Sequence, residues 1–141
     1  VTILPRQIEY ALLALGEMHV ASPGQLFAVR GICEKHHIPF DVVSKTMQRL
    51  SRAEILRSVK GVNGGYQIIK DLGSVSLLEI IDAVMGSVSV VMCLDGDKVC
   101  PIEKTCTVMR GMSTLDKRLK TFYRDTTVLE LIEDPTPSRK S

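Results

Sequence analysis

Residues 26–69 carry the strongest constraint: two short helical patterns split by a proline, the second with a basic outer face, followed at once by two alternating segments joined through glycines. Leu26, Val29, Ile32 and Cys33 recur at helical spacing and predict a helix over residues 26–37. Ile38-Pro39 breaks it, because the residue before a proline disfavours helical geometry. The next helix, predicted over 40–53, buries Val43, Met47 and Leu50 and turns Ser44, Lys45, Gln48 and Arg49 outward. Residues 55–60 then alternate as a strand, Gly61-Val62-Asn63-Gly64-Gly65 is turn chemistry, and residues 66–69 pair back as a second strand. An ordinary hairpin uses the same glycines. Placed directly behind a basic helix, the hairpin reads as the wing of a winged helix-turn-helix.

Charge supports that placement. Residues 1–70 hold nine Lys/Arg against five Asp/Glu, and the excess concentrates where Lys45, Arg49, Arg52, Arg57 and Lys60 face only Glu54. Such a cluster can merely solvate a helix face, but beside the wing it points to a polyanion, double-stranded DNA.

The flanking segments are also helical. Ile8, Leu12 and Leu15, with Ala11 and Met18 beside them, predict a first helix over 5–20 that begins near Pro5 and ends at Ser22-Pro23-Gly24. Ser76-Leu77-Leu78-Glu79 has the pattern of a capping box and opens a helix that Gly86 closes. Further on, Val108, Met112, Leu115, Leu119 and Phe122 recur at steps of four and three through a charged stretch, a long helix with one apolar seam. A seam projecting from so small a domain needs a cover, and a second copy is the simplest one, so a homodimer is expected. Thr127-Val128-Leu129-Glu130 caps a last short helix. The fold expected is mainly α with a small β-hairpin. Its parts are a winged helix-turn-helix over 1–72, a cysteine loop and dimerisation helices over 73–134, and a frayed tail over 135–141.

Three cysteines, Cys93, Cys100 and Cys106, stand together between the last two long helical segments, separated by six and five residues. That spacing lets one loop converge three soft thiolates on a metal or iron-sulfur cluster. Zinc fits poorly, since structural zinc sites favour closely spaced cysteine pairs. Cys33, on an inner helix face, reads as a small buried side chain. The chain shows neither a membrane-spanning apolar run nor a signal-peptide pattern, and a cytoplasmic protein is expected. In that reducing compartment metal ligands or redox thiols are favoured over structural disulfides. No phosphate loop, nucleophile elbow or paired acid-base motif is present, so no enzyme activity is expected.

Several of these motifs together resemble one family. Tyr10-Ala11-Leu12, the run KGVNGGYQI around Gly61 to Tyr66, the run SLLEIIDA from Ser76 to Ala83, and a three-cysteine loop before a long helix resemble the bacterial iron-sulfur regulators that include IscR, NsrR and RirA. The run from Cys100 to Cys106 is most similar to the RirA type. The resemblance covers nearly the whole chain and implies a homodimeric winged-helix transcription factor, a repressor, whose cysteines bind a 4Fe-4S or 2Fe-2S cluster that senses iron, nitric oxide, redox state or cluster supply.

It also implies where ligands and DNA contacts fall. Cys93, Cys100 and Cys106 take the cluster positions; Met109 stands where the IscR type has a histidine ligand, and Pro5 where the family usually has threonine. Glu9 occupies the place of the NsrR type's aspartate ligand and becomes the candidate fourth ligand, against its ordinary reading as a solvated or salt-bridged helix residue. In this reading Ser44, Lys45, Gln48 and Arg49 meet the major groove, while Lys60, Gly61, Asn63 and Gly64 of the wing approach the backbone or minor groove. Val108, Met112, Leu115, Leu119 and Phe122 form the dimer interface. Two alternatives use the same residues differently: a metal-free thiol-redox switch, and an iron-sulfur carrier or enzyme, which would have no use for the basic helix and wing.

Overall fold

The computed structural model describes residues 3–21, 24–91, 94 and 101–133. Six helices and one hairpin follow in the order α1 (Arg6–His19), α2 (Val29–His36), α3 (Phe40–Arg52), β1 (Leu56–Val59), β2 (Gly65–Ile68), α4 (Leu77–Met85), α5 (Met109–Asp125) and α6 (Val128–Ile132) among the described residues. The strands pair antiparallel, Leu56 opposite Ile68 and Val59 opposite Gly65.

α3 is the centre of the packing. Val43, Met47 and Leu50 are fully buried, and the helix touches α1, α2, α4 and β1. Burying side chains of this size contributes roughly 1.5 to 3 kcal/mol each. The inner face of α1 is Ile8, Ala11, Ala14, Leu15 and Met18. Leu12, expected at the centre of that stripe, is only half-buried, because two alanines let α1 approach the core along a rotated face. Pro5 precedes the helix in extended geometry and caps it instead of entering its first turn.

α2 starts three residues later than its apolar spacing predicts. Phe27 is drawn into backbone pairing with Tyr66, with hydrogen bonds of 2.9 Å in both directions, so residues 26–28 stay extended and the wing is stitched to the entrance of α2. Gly65 makes that pairing possible: its φ is 150°, and a Cβ there would collide with the Phe27 carbonyl. Lys35 and His36 from the last turn of α2 both reach Glu17 of α1, and the Lys35 ammonium holds the Glu17 carboxyl below its ordinary range.

One core runs through both halves of the chain. Ile80, Ile81, Val84 and Val128 join the same buried cluster as the residues of α1 and α3. Ser76 caps α4 by accepting the Glu79 N–H at 3.1 Å, and Thr127 with Glu130 forms a complete capping box on α6. After α5 the chain returns to the start of α4, where Leu77 N–H donates to Thr126 O at 2.7 Å and Val128 N–H to Val75 O at 2.8 Å.

Two helix ends use left-handed residues other than glycine. His37 ends α2 with φ 53°, and Glu54 follows α3 with φ 60°, allowing Ile55 N–H to reach back to Leu50 O at 3.1 Å. A side chain in that region costs about 1 kcal/mol. Part of the relief given by glycine is lost to its greater freedom in the unfolded chain. Glu54→Gly is expected to raise unfolding stability by about 0.5 kcal/mol, with a matching rise in Tm by calorimetry; a drop would contradict this end geometry.

Candidate nucleic-acid interface

The outer face of α3 and the tip of the hairpin carry exposed basic side chains, Lys45, Arg49, Arg52 and Lys60. Lys45, Gln48 and Arg49 are exposed and Ser44 is half-buried, one turn apart along the helix. Thr46, which points inward, is satisfied by the Val42 carbonyl at 2.8 Å, so no polar group on the buried side competes with the core. The sequence places α3 here because Ile38-Pro39 stops α2 and Pro39, extended at ψ 125°, starts the next helix cleanly.

The hairpin supplies the second part. Lys60, Gly61, Val62 and Asn63 are exposed, and Val62 is entirely open to solvent. Gly61 has φ 119°, and a Cβ on Gly64 would overlap the Val59 carbonyl, so the turn closes only with glycines at these positions. Arg57 is braced across the strands by Gln67 Oε1 at 2.8 Å.

Two features escaped sequence reasoning. Phe40, the first residue of α3, is 41% exposed, and the Arg30 guanidinium lies 4.8 Å from its ring centroid. An exposed aromatic at the start of a helix was the available signal. The other is Arg49. Although it lies on the outer face of α3, its Nη1 donates a 2.7 Å hydrogen bond to the Val84 carbonyl in the last turn of α4. The spacing of residues along α3 could not reveal a partner on another helix.

The predicted ligand set is divided. Cys93 and Cys100 lie outside the described residues. Cys106 is a half-buried free thiol just before α5, and its neighbours form turns, with Thr105 N–H bonded to Ile102 O at 3.0 Å. Glu9 sits on the exposed first turn of α1, its carboxylate 2.8 Å from Arg6 Nη1. Among the described residues no group of three or more His, Cys, Asp or Glu is arranged to hold a metal ion. Cys33 is buried in the core, where desolvation pushes its thiol above the ordinary value.

The predicted seam of α5 stands largely uncovered in the single chain. Val108, Leu115 and Phe122 are 57%, 40% and 66% exposed, and Met112 and Leu119 are half-buried. Asp116, flanking the seam one turn after Met112, is buried: it accepts the Val90 N–H at 2.9 Å and the Lys120 ammonium at 2.9 Å. Burial pushes this carboxyl up, yet the hydrogen bonds from Lys120 and Val90 outweigh it and leave the group below its ordinary range. The segment leading towards the cysteine loop is thereby fastened to α5.

A helix-turn-helix followed by a braced glycine wing defines a winged-helix protein of the DNA-binding kind. Residues 4–134 match Rrf2, described as an iron-dependent transcriptional regulator, and the chain belongs to that family of DNA-binding transcriptional regulators. It is 28% identical over 127 residues to an HTH-type transcriptional regulator of Aquifex aeolicus (strain VF5), covering 89% of this chain and 88% of the relative. It is 29% identical over 125 residues to the HTH-type transcriptional regulator IscR of Klebsiella pneumoniae subsp. pneumoniae, covering 89% and 76%. Among solved structures it shares the fold of CymR, the global cysteine regulator of B. subtilis, with TM-score 0.72 at 16% identity, covering 96% and 100% of the two chains. It also shares the fold of T. potens IscR, with TM-score 0.66 at 15% identity, covering 99% and 93%. Among the described residues no helix is long and apolar enough to cross a membrane.

If Lys45 and Lys60 neutralise phosphates, replacing either by Ala weakens binding to all DNA sequences and flattens the slope of log K against log salt by about 0.9. Alanine at Gln48 or Ser44 instead changes preference between sites, each good base contact being worth about 1 to 3 kcal/mol. Salt titrations against an operator and a scrambled duplex separate the two behaviours, and an unchanged slope in the lysine variants would remove them from the interface.

Proposed function

We propose that this protein is a homodimeric repressor whose affinity for DNA is set by an iron-sulfur cluster, 4Fe-4S or 2Fe-2S, held by Cys93, Cys100 and Cys106. The observation that carries this reading is the joining of a basic recognition helix and wing to a fastened segment that leads directly into three soft thiols. Thiolate sulfur is the donor such clusters prefer, and Cys106 is a free, half-buried thiol among turns, which fits a loop able to converge its sulfurs. When bound, the cluster would supply reactivity towards iron supply, nitric oxide or oxidants. Glu9 is the candidate fourth ligand, and breaking its exposed pair with Arg6 would cost little.

The protein's own residues would do the rest. Ser44, Lys45 and Gln48 read or grip the major groove, and Lys60, Gly61, Asn63 and Gly64 hold the flanking backbone. Val108, Met112, Leu115, Leu119 and Phe122 cover one another across a two-fold axis. An apolar recess of about 430 Å³ between the start of α1, the end of α4 and α5 opens beside Leu119, continuing the seam and giving a second copy a concave surface to fill. The cytoplasm is the expected compartment.

Anaerobic purification with visible absorbance and iron and sulfide analysis tests the reading. Replacing Cys93, Cys100 or Cys106 by Ala is expected to abolish a brown chromophore, and Cys33→Ala to leave it intact. Full iron and sulfide occupancy in Cys100→Ala would overturn the ligand set. Wild-type protein that never takes up iron, yet changes its DNA affinity on oxidation, would establish the metal-free thiol switch instead.

A further inference from the structure

We infer that Arg49 is a positioning residue that couples the cysteine loop to the recognition helix, and that it does not contact phosphate. The inference rests on the function proposed above and goes beyond it. Arg49 lies on the exposed side of α3, one position beyond Gln48, where a phosphate contact would be expected. Its Nη1 instead donates to Val84 O at 2.7 Å, across the groove between α3 and α4 that Arg52, Asp82 and Met85 also line.

The acceptor is the important choice. The last carbonyls of a helix lack intrahelical donors and carry the negative end of its dipole, so a guanidinium there makes a charge-assisted bond that caps the helix. In α4 that end lies at Met85, and Gly86, with φ 77°, immediately redirects the chain towards Val90 and the cysteine loop. Val90 is in turn held by Asp116 of α5. A path of described contacts therefore runs from Asp116 of α5 through Val90 and residues 86–90 to the end of α4, and from there through Arg49 into α3. On this inference, a change of state at the cysteines that shifts residues 86–90 reaches the end of α4, and Arg49 passes the shift to α3.

This role and the phosphate role make opposite predictions. Arg49→Met removes charge and donor while keeping much of the apolar stem. As a coupling residue, its loss leaves the salt slope of DNA binding as in wild type and shrinks the affinity ratio between cluster-loaded and cluster-free dimer about fivefold or more, within the usual range of coupling between sites. As a phosphate contact, its loss flattens the slope by about 0.9 and preserves the ratio. Arg49→Lys, which can still donate to a carbonyl, is expected to restore much of the ratio.

Operator binding is measured by salt titration on full-length protein in both loop states, with thermal unfolding recorded for each variant. Should Arg49→Met fail to fold, Arg49→Gln, uncharged and shorter, takes its place with the same expected slope and a reduced ratio. A flattened slope, or a ratio that survives the loss of Arg49, overturns the inference alone. Equal affinity of both wild-type states overturns the cluster-controlled reading, and the coupling with it.

Discussion

Everything in this fold depends on the burial of one face of α3. Val43, Met47 and Leu50 have no exposed surface, and they tie the helix to α1, α2, α4 and β1 at once. A recognition helix held on several sides cannot rotate alone. On the proposed reading, a change in its presentation to DNA comes from the elements packed against it, and of these α4 leads in sequence towards Cys93. The outer face is free to be polar and basic because the inner face supplies the packing.

The long helix α5 is likewise anchored rather than trailing. Its C-terminal end is tied to the start of α4 through the Leu77–Thr126 hydrogen bond, and its middle to the start of the loop through Asp116 and Val90. Buried polar groups satisfied in this way hold geometry more than they add net stability, since each bond replaces one to water. With the apolar seam covered by a second copy, α5 would act as a lever whose position is fixed relative to both winged helices. On the proposed reading, a small rearrangement among three thiols could then alter how two recognition helices are spaced.

Much of this was legible in the sequence because its signals are local. The proline break before α3, the glycines of the wing, the caps at Ser76 and Thr127 and the long helical run of α5 each announce themselves within a few residues. What was not legible required a distant partner. The late start of α2 comes from Phe27 pairing with Tyr66, and the half-burial of Leu12 comes from close approach at Ala11 and Ala14. Arg49 shows the same limit at the site: its spacing along α3 places it towards DNA, while the carbonyl it binds lies on another helix. Glu9 was legible as either ligand or surface ion pair, and in the single chain it is bonded to Arg6. Cys93 and Cys100 remain positions argued from sequence, outside the described residues.

The central claim is that the state of the cysteine loop sets the separation of two recognition helices in a dimer. Pulsed electron-electron distance measurement tests it directly, with a spin label carried by a non-natural residue at exposed Asp41 at the start of α3. The account predicts a single inter-subunit distance in each state. In the DNA-binding state it should suit half-sites about one helical turn, roughly 34 Å, apart, and it should shift when the iron is removed or the thiols are oxidised. The same distance in every state, or no inter-subunit distance at all, would contradict it.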